Sequence, residues 1–215
     1  MEFFLARGWR VLGCSRGASE VRHELYEHHE LDVADETAVC AFFDEVRDRY
    51  TRVDALINNA GIGLSSLALA NPSAAVDRLL RTNLVGTMLM CREAARVMVA
   101  QRAGRIVNIA SVAVPLRMQG SSVYSASKAA VVQYSKVLAR ELAPFNITCN
   151  VVAPSLVSMT GLLEDLKKEA LTKYLDGLTI KRLATPQDVA HAVSFFVDEA
   201  SGYVTGQVLY LGLAD

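Results

Sequence analysis

Residues 104–128 constrain this chain more tightly than any other stretch. Gly104-Arg105-Ile106-Val107-Asn108-Ile109-Ala110 reads as a buried strand and its exit, with Ser111 at the C-terminal end. Tyr124 follows thirteen positions later, and Lys128 four beyond that. Residues four apart share one face of a helix, so a phenol and an ammonium are presented side by side. A hydroxyl at the end of a strand can face such a helix across the crevice where open α/β sheets bind ligands. These residue types suit proton exchange with a carbonyl or alcohol oxygen. A free phenol ionises near pH ~10. A neighbouring ammonium favours the phenolate and is expected to bring Tyr124 down toward the working range, while Ser111 steadies the substrate oxygen.

Length and composition narrow the class. The 215 residues suit one α/β domain, residues 1–215, with a sizeable core. A formal net charge of −1 gives no reason to expect nucleic acid as a partner. No apolar run reaches the ~18 residues that span a membrane, and residues 1–7 lack the basic region of a signal peptide, so the expected compartment is the cytoplasm. Cys14, Cys40, Cys91 and Cys149 are widely spaced in apolar stretches and are expected to be buried free thiols. His28-His29 has no cysteine or carboxylate at ligand spacing, so no metal site is expected.

Along the chain, residues 1–7 read as the end of a helix with Gly8 at a left-handed cap, and Trp9 to Cys14 as a strand. Ala18 to Glu30 reads as a brief charged helix, and Leu31-Asp32-Val33 as the end of the next strand. Asp32 suits capping of the helix that begins near Glu36. Val39, Phe42, Phe43 and Val46 form a helical stripe within Asp35 to Tyr50. Val53 to Ile57 is a strand, Pro72 to Arg102 a long helical region, Val112 to Ser122 a loop, Val123 to Ala143 a helix and Asn146 to Val152 a strand. Asn83 is out of place in mid-helix, where its amide competes for backbone bonds. Thr160 to Tyr174 is amphipathic and reads as a lid over substrate. Thr185-Pro186 starts a helix, and Gly202 to Leu211 reads as the last strand.

Ser111, Tyr124-Ser125-Ala126-Ser127-Lys128, Asn58-Asn59-Ala60-Gly61, Thr82-Asn83-Leu84-Val85-Gly86 and Asn150 through Pro154 come in the order and spacing of a known family. The chain resembles the classical short-chain dehydrogenases/reductases, from Met1 to about Gly206, most of all the 3-oxoacyl-carrier-protein reductase branch. The resemblance implies a Rossmann-type doubly wound parallel sheet. It implies a catalytic set of Ser111, Tyr124, Lys128 and Asn83, with Asn83 holding a water behind Lys128. It assigns Asp32 and Val33 to the adenine, Asn59, Ala60 and Gly61 to the ribose, and Tyr124, Lys128, Pro154 and Val157 to the nicotinamide side. Arg16, after the first strand here, suits the 2′-phosphate and leans the reading to NADP over NAD; a solvated loop arginine is the plainer reading. Ser155 replaces the family's usual glycine, and the usual threonine beyond it is displaced to Met159-Thr160.

In that family a first strand and a glycine-rich phosphate loop precede the element that opens this sequence. The expectation is therefore a Rossmann-type sheet lacking its central strand, with two unpaired interior edges and few backbone amides for a pyrophosphate. Two functions follow. One is an NADP-dependent oxidoreductase acting on a small carbonyl or alcohol, assembled as a homodimer or homotetramer as the resemblance implies. The other is a non-catalytic family member or assembly partner with impaired cofactor binding.

Overall fold

The computed structural model describes residues 1–158 and 168–214. A short helix, α1 (Glu2–Leu5), leads through Gly8 at φ +77° into β1 (Val11–Ser15). Strand β2 (Tyr26–Glu30) pairs with β1 in parallel, with Val11 opposite Tyr26 and Ser15 opposite Glu30. Helix α2 (Glu36–Arg49) then leads to β3 (Ala55–Asn58). Helices α3 (Ser73–Leu80) and α4 (Gly86–Gln101) precede β4 (Gly104–Ile109). The short α5 (Ala113–Leu116) and the long α6 (Ser122–Leu142) lead to β5 (Ile147–Ala153). After α7 (Lys168–Asp176) and α8 (Pro186–Val197) comes β6 (Val208–Tyr210).

The strands form two parallel sheets, β1-β2 and β3-β4-β5-β6. Both belong to one layer, because β1 and β3 feed the same two apolar clusters. On one face, Leu12 of β1 and Leu56 of β3 pack with the α2 stripe Val39, Phe42, Phe43 and Val46. On the other, Val11 and Ala55 pack with Phe4, Val193, Phe196 and Val197 of α1 and α8. Parallel sheets are covered by helices on both faces in this way, which gives their strands continuous apolar sequences. Among the described residues, β1 and β3 each have one ladder neighbour.

A buried polar ladder ties the four-stranded sheet to its helices. Asn58 Nδ2 donates to Asn108 Oδ1 at 2.8 Å, and Asn108 Nδ2 donates to Ser135 Oγ on α6 at 2.8 Å. Leaving one of these amides without a partner would cost about 1–3 kcal/mol, so the ladder fixes the register of β3 against β4.

Several expectations are corrected. Residues 18–25 are not helical; the chain instead enters β2, where the ladder to β1 claims residues 26–30, and the strand stops before Leu31. Asp35, not Asp32, caps α2, its Oδ1 accepting from Thr37 and Ala38; Asp32 accepts from Ala34 N in the preceding turn. Cys91 and Cys149 are buried, but Cys14 and Cys40 are only partly so, since both lie near the edge of the core. The last strand is three residues long, because Asn150 draws the preceding turn away, bonding Val204 O and Gln207 N. The stretch read as a loop, Val112 to Ser122, contains the single turn of α5, and Ser122 opens α6. The displaced Met159-Thr160 and most of the expected lid lie outside the described residues. Among those described, no helix is long and apolar enough to cross a membrane.

Candidate active site

Strand β4 ends at Ile109, and Ala110 N still bonds Val152 O of β5 at 2.8 Å. Ser111 is thereby carried to the C-terminal edge of the sheet. Its Oγ accepts from Ala113 N at 3.1 Å, which starts α5 and fixes the side chain. Tyr124, in the first turn of α6, is half-buried, and Ser111 stands close enough to its phenol to favour the ionised form. Lys128, one turn on, is only 5% exposed, and its Nζ donates to Ile109 O at 2.8 Å.

Asn83 explains itself. It sits in a π-helical turn (Arg81–Val85) between α3 and α4, a local widening that swings its fully buried amide out of the helix. There Oδ1 accepts from Ile62 N at 2.8 Å, and Nδ2 donates to Ile62 O at 2.9 Å and to Ser127 Oγ at 3.2 Å. Ser127 in turn donates to Tyr124 O at 2.7 Å. The amide is thus spent on holding the Gly61–Ile62 chain against α6. A Cβ at Gly61 would lie 3.3 Å from Asn83 Oδ1 and 3.4 Å from Lys128 Nζ. Glycine is needed there for close approach.

The electrostatics differ from the expectation that Lys128 lowers the Tyr124 pKa. Burial pushes Tyr124 above the ordinary phenol value, and the neighbouring Ser111 offsets only part of that rise. Burial also lowers Lys128, to about 8. Both shifts oppose charge in a poorly hydrated crevice. At neutral pH the phenol therefore keeps its proton, and the amine beside it exchanges one readily.

Ser111, Tyr124, Lys128, Asn83 and Gly61 are therefore brought together. Asn59 and Ala60 are exposed on the same crevice, after β3. Pro154 is buried after β5, its carbonyl accepting from Val112 N at 3.1 Å, and Val157 bridges to Ala184 further along that exit. Val33 packs under the start of α4, where a Cβ on Gly86 would fall 2.7 Å from Val33 Cγ2. Arg16 and Asp32 are exposed at the ends of β1 and β2. His28, weighed in the sequence only as half of a histidine pair, orders the turn bearing Arg16: its ring bonds Gly17 O at 2.8 Å and Tyr26 OH at 2.9 Å. Tyr174 was hidden, a residue of an ordinary amphipathic stretch. It is buried beside Ser155 and close enough to Tyr124 to interact electrostatically. On the far side of β2, Glu27, His29 and Glu45 gather, and Arg49 supplies the cation for both carboxylates.

Ser111, Asn59, Ala60, Gly61 and Pro154 follow the carboxyl ends of the parallel strands β4, β3 and β5, the usual place for a ligand in an open α/β sheet. The comparisons agree with that geometry. A family model described as enoyl-(acyl carrier protein) reductase matches residues 5–212. The human 3-oxoacyl-[acyl-carrier-protein] reductase is 38% identical over 209 residues, 94% of this chain and 86% of that protein. The corresponding reductase FabG of Aquifex aeolicus is 35% identical over 182 residues, 85% of this chain and 73% of that protein. The solved structure of ElxO with NADP bound superposes with a TM-score of 0.89 at 28% identity, covering 96% of this chain and 88% of that one. The chain belongs to the short-chain dehydrogenase/reductase family of NAD(P)-dependent oxidoreductases.

Proposed function

We propose that the protein reduces a carbonyl group on an acyl-type substrate, with Tyr124 as the proton donor and NADPH as the preferred cofactor. The observation that carries this is the convergence of Ser111 at the end of β4 with Tyr124 and the buried Lys128 of α6, whose Nζ donates to Ile109 O at 2.8 Å and lies beside Gly61. The crevice suits a dinucleotide at its ribose and nicotinamide end: Gly61 leaves open the space that a Cβ would take beside Lys128 Nζ. When bound, the cofactor supplies a hydride to the carbonyl carbon.

The residues do the rest. Ser111 Oγ holds the carbonyl oxygen, and Tyr124 OH gives it a proton as the alcohol forms. The phenolate left behind is a stronger base than the Lys128 amine, because burial raises one pKa and lowers the other. Return of a proton from Lys128 to Tyr124 is therefore downhill, and the resting site is poised for reduction rather than oxidation. Asn83 keeps Gly61–Ile62 in contact with α6, so that Lys128 stays aligned. Arg16 favours the 2′-phosphate of NADP, in keeping with the NADP bound in the ElxO structure. Val112, Leu116, Leu156 and Tyr210 form an apolar cluster next to Ser111, which suits an acyl chain. The names of the human and Aquifex relatives point the same way. The exposed Val137, Phe195 and Leu209 suit burial against other copies in a homodimer or homotetramer, and light scattering reads that directly.

The test is oxidation of NADPH on addition of a 3-oxoacyl thioester. Turnover that falls when NADH replaces NADPH is expected. Failure with every acyl and simple ketone substrate would overturn the reading. One observation favours the second reading, a family member that binds cofactor poorly: β1 and β3 share no ladder. Retention of the fold with no measurable NADPH binding would select it.

A further inference from the structure

We infer that Tyr174 is a positioning residue of this site, pinning the turn after β5 and, through that turn, holding Ser111 against Tyr124. The inference rests on the roles proposed above for Ser111 and Tyr124. It starts from a paired departure. Ser155 stands where the resembled family has glycine, and in this fold it is 6% exposed. The residue that meets it is Tyr174, 7% exposed, on α7. The Tyr174 hydroxyl accepts from Leu156 N at 2.8 Å, with Ser155 close enough to act on it. Its ring packs with Val112 and Leu178 in the cluster that walls the crevice.

The bonds then run in one direction. Tyr174 holds Ser155 and Leu156. Pro154, the residue before them, accepts from Val112 N at 3.1 Å. Val112 follows Ser111, whose Oγ accepts from Ala113 N at 3.1 Å, and Ala113 O accepts at 2.9 Å from Ser125 Oγ, the neighbour of Tyr124 on α6. These links thus connect α7 to the reacting hydroxyls, without Tyr174 touching the substrate oxygen. Among the described residues, Tyr174 from α7 and Lys128 one turn along α6 are the titratable groups near Tyr124. Burial pushes Tyr174 up to about 12, so it stays neutral while Tyr124 titrates and acts through position rather than charge.

Ser111 beside Tyr124 favours its phenolate, so moving Ser111 away raises the pH at which Tyr124 ionises. The experiment is a 19F NMR titration of the full chain carrying 3-fluorotyrosine, whose phenol ionises at lower pH than tyrosine. The Tyr124 resonance is the one lost in Tyr124→Phe. An upward move of its titration in Tyr174→Phe, in the same direction as in Ser111→Ala, is expected, with a fall in kcat of about tenfold. Ser155→Ala, which leaves the ring in place, provides a second reading in the same direction. Movement upward in either variant carries the inference. A titration that is unchanged or lower in both would overturn it, whatever happens to the melting temperature. Because the titration needs neither substrate nor cofactor, a chain that reduces no carbonyl compound would sink the proposed function without deciding this point.

Discussion

One absent methyl group decides whether Lys128 reaches the crevice. Lys128 Nζ and Asn83 Oδ1 are each held by a 2.8 Å bond, to Ile109 O and from Ile62 N, so neither yields easily to a Cβ at Gly61. Gly61→Ala is expected to lower kcat about tenfold while leaving the fold intact, read by steady-state kinetics beside circular dichroism. A variant with wild-type kcat would mean that Lys128 does not need its present place. The pH dependence follows from the same residue. Lys128 is protonated below about 8 and can recharge Tyr124 there. Carbonyl reduction should therefore be level from neutral pH up to that value and decline above it. A profile that rises through this range would contradict the proton path. The residue types of the site were legible in the sequence because their spacing is itself the chemistry, a strand-end serine and an i, i+4 phenol and amine. The direction of the pKa shifts was not, since it depends on how much water the folded crevice admits, and spacing says nothing of that. Tyr174 was hidden for a similar reason, as only the fold brings it to Ser155.

Helices and turns carry the next level. The α2 stripe and the Thr185 start were plain in the sequence, because periodicity and caps are local. Thr185 Oγ1 accepts from Asp188 N at 3.2 Å while Asp188 accepts from Thr185 N at 2.7 Å, a reciprocal capping box on α8. Arg182 and the Thr185 backbone hold the Asp188 carboxyl well below the usual carboxylate range. Thr185→Ala should cost about 1 kcal/mol in chemical denaturation, and no loss would mean that the cap is made by other groups. Gly86→Ala is expected to be the more damaging change, because its Cβ would fall 2.7 Å from Val33 Cγ2 and 3.1 Å from Val33 O. Overpacking of that kind costs about 1–3 kcal/mol. The mistaken helix at residues 18–30 shows the limit of local reading. Charged residues there do not oppose a helix, and only the ladder to β1 decides for a strand.

For the molecule as a whole, two features stand out. The first is alkaline weakness. Burial pushes the Cys91 and Cys149 thiols up, Cys149 to about 12, whereas an unfolded thiol ionises near ~8.5. The folded chain therefore holds protons that the unfolded chain releases, so this stability is complete below about pH 8.5 and is lost as pH rises toward the folded value. Lys128 works the other way between about 8 and ~10.4, where the unfolded chain keeps a proton that the folded one has lost. Two thiols outweigh one amine. Each fully titrating group contributes a slope of about 1.4 kcal/mol per pH unit. Replacing both cysteines by alanine should flatten the fall in denaturation free energy above pH 8.5, and an unchanged slope would place its origin elsewhere. The second feature is the divided sheet. Among the described residues, no glycine-rich strand-to-helix turn lies between β1 and β3 to offer amides to a pyrophosphate, so these 215 residues should bind NADPH weakly. Saturation at a few micromolar in a fluorescence titration would contradict this.

The proton donor is the point on which function turns. The decisive measurement is the rate of NADPH oxidation by a carbonyl substrate, at saturating cofactor, in the wild type and in Tyr124→Phe. Loss of the hydroxyl alone should lower kcat by roughly a hundredfold or more while the fold survives. A Tyr124→Phe variant that turns over at the wild-type rate would remove Tyr124 from the chemistry, and the active site drawn around it with it.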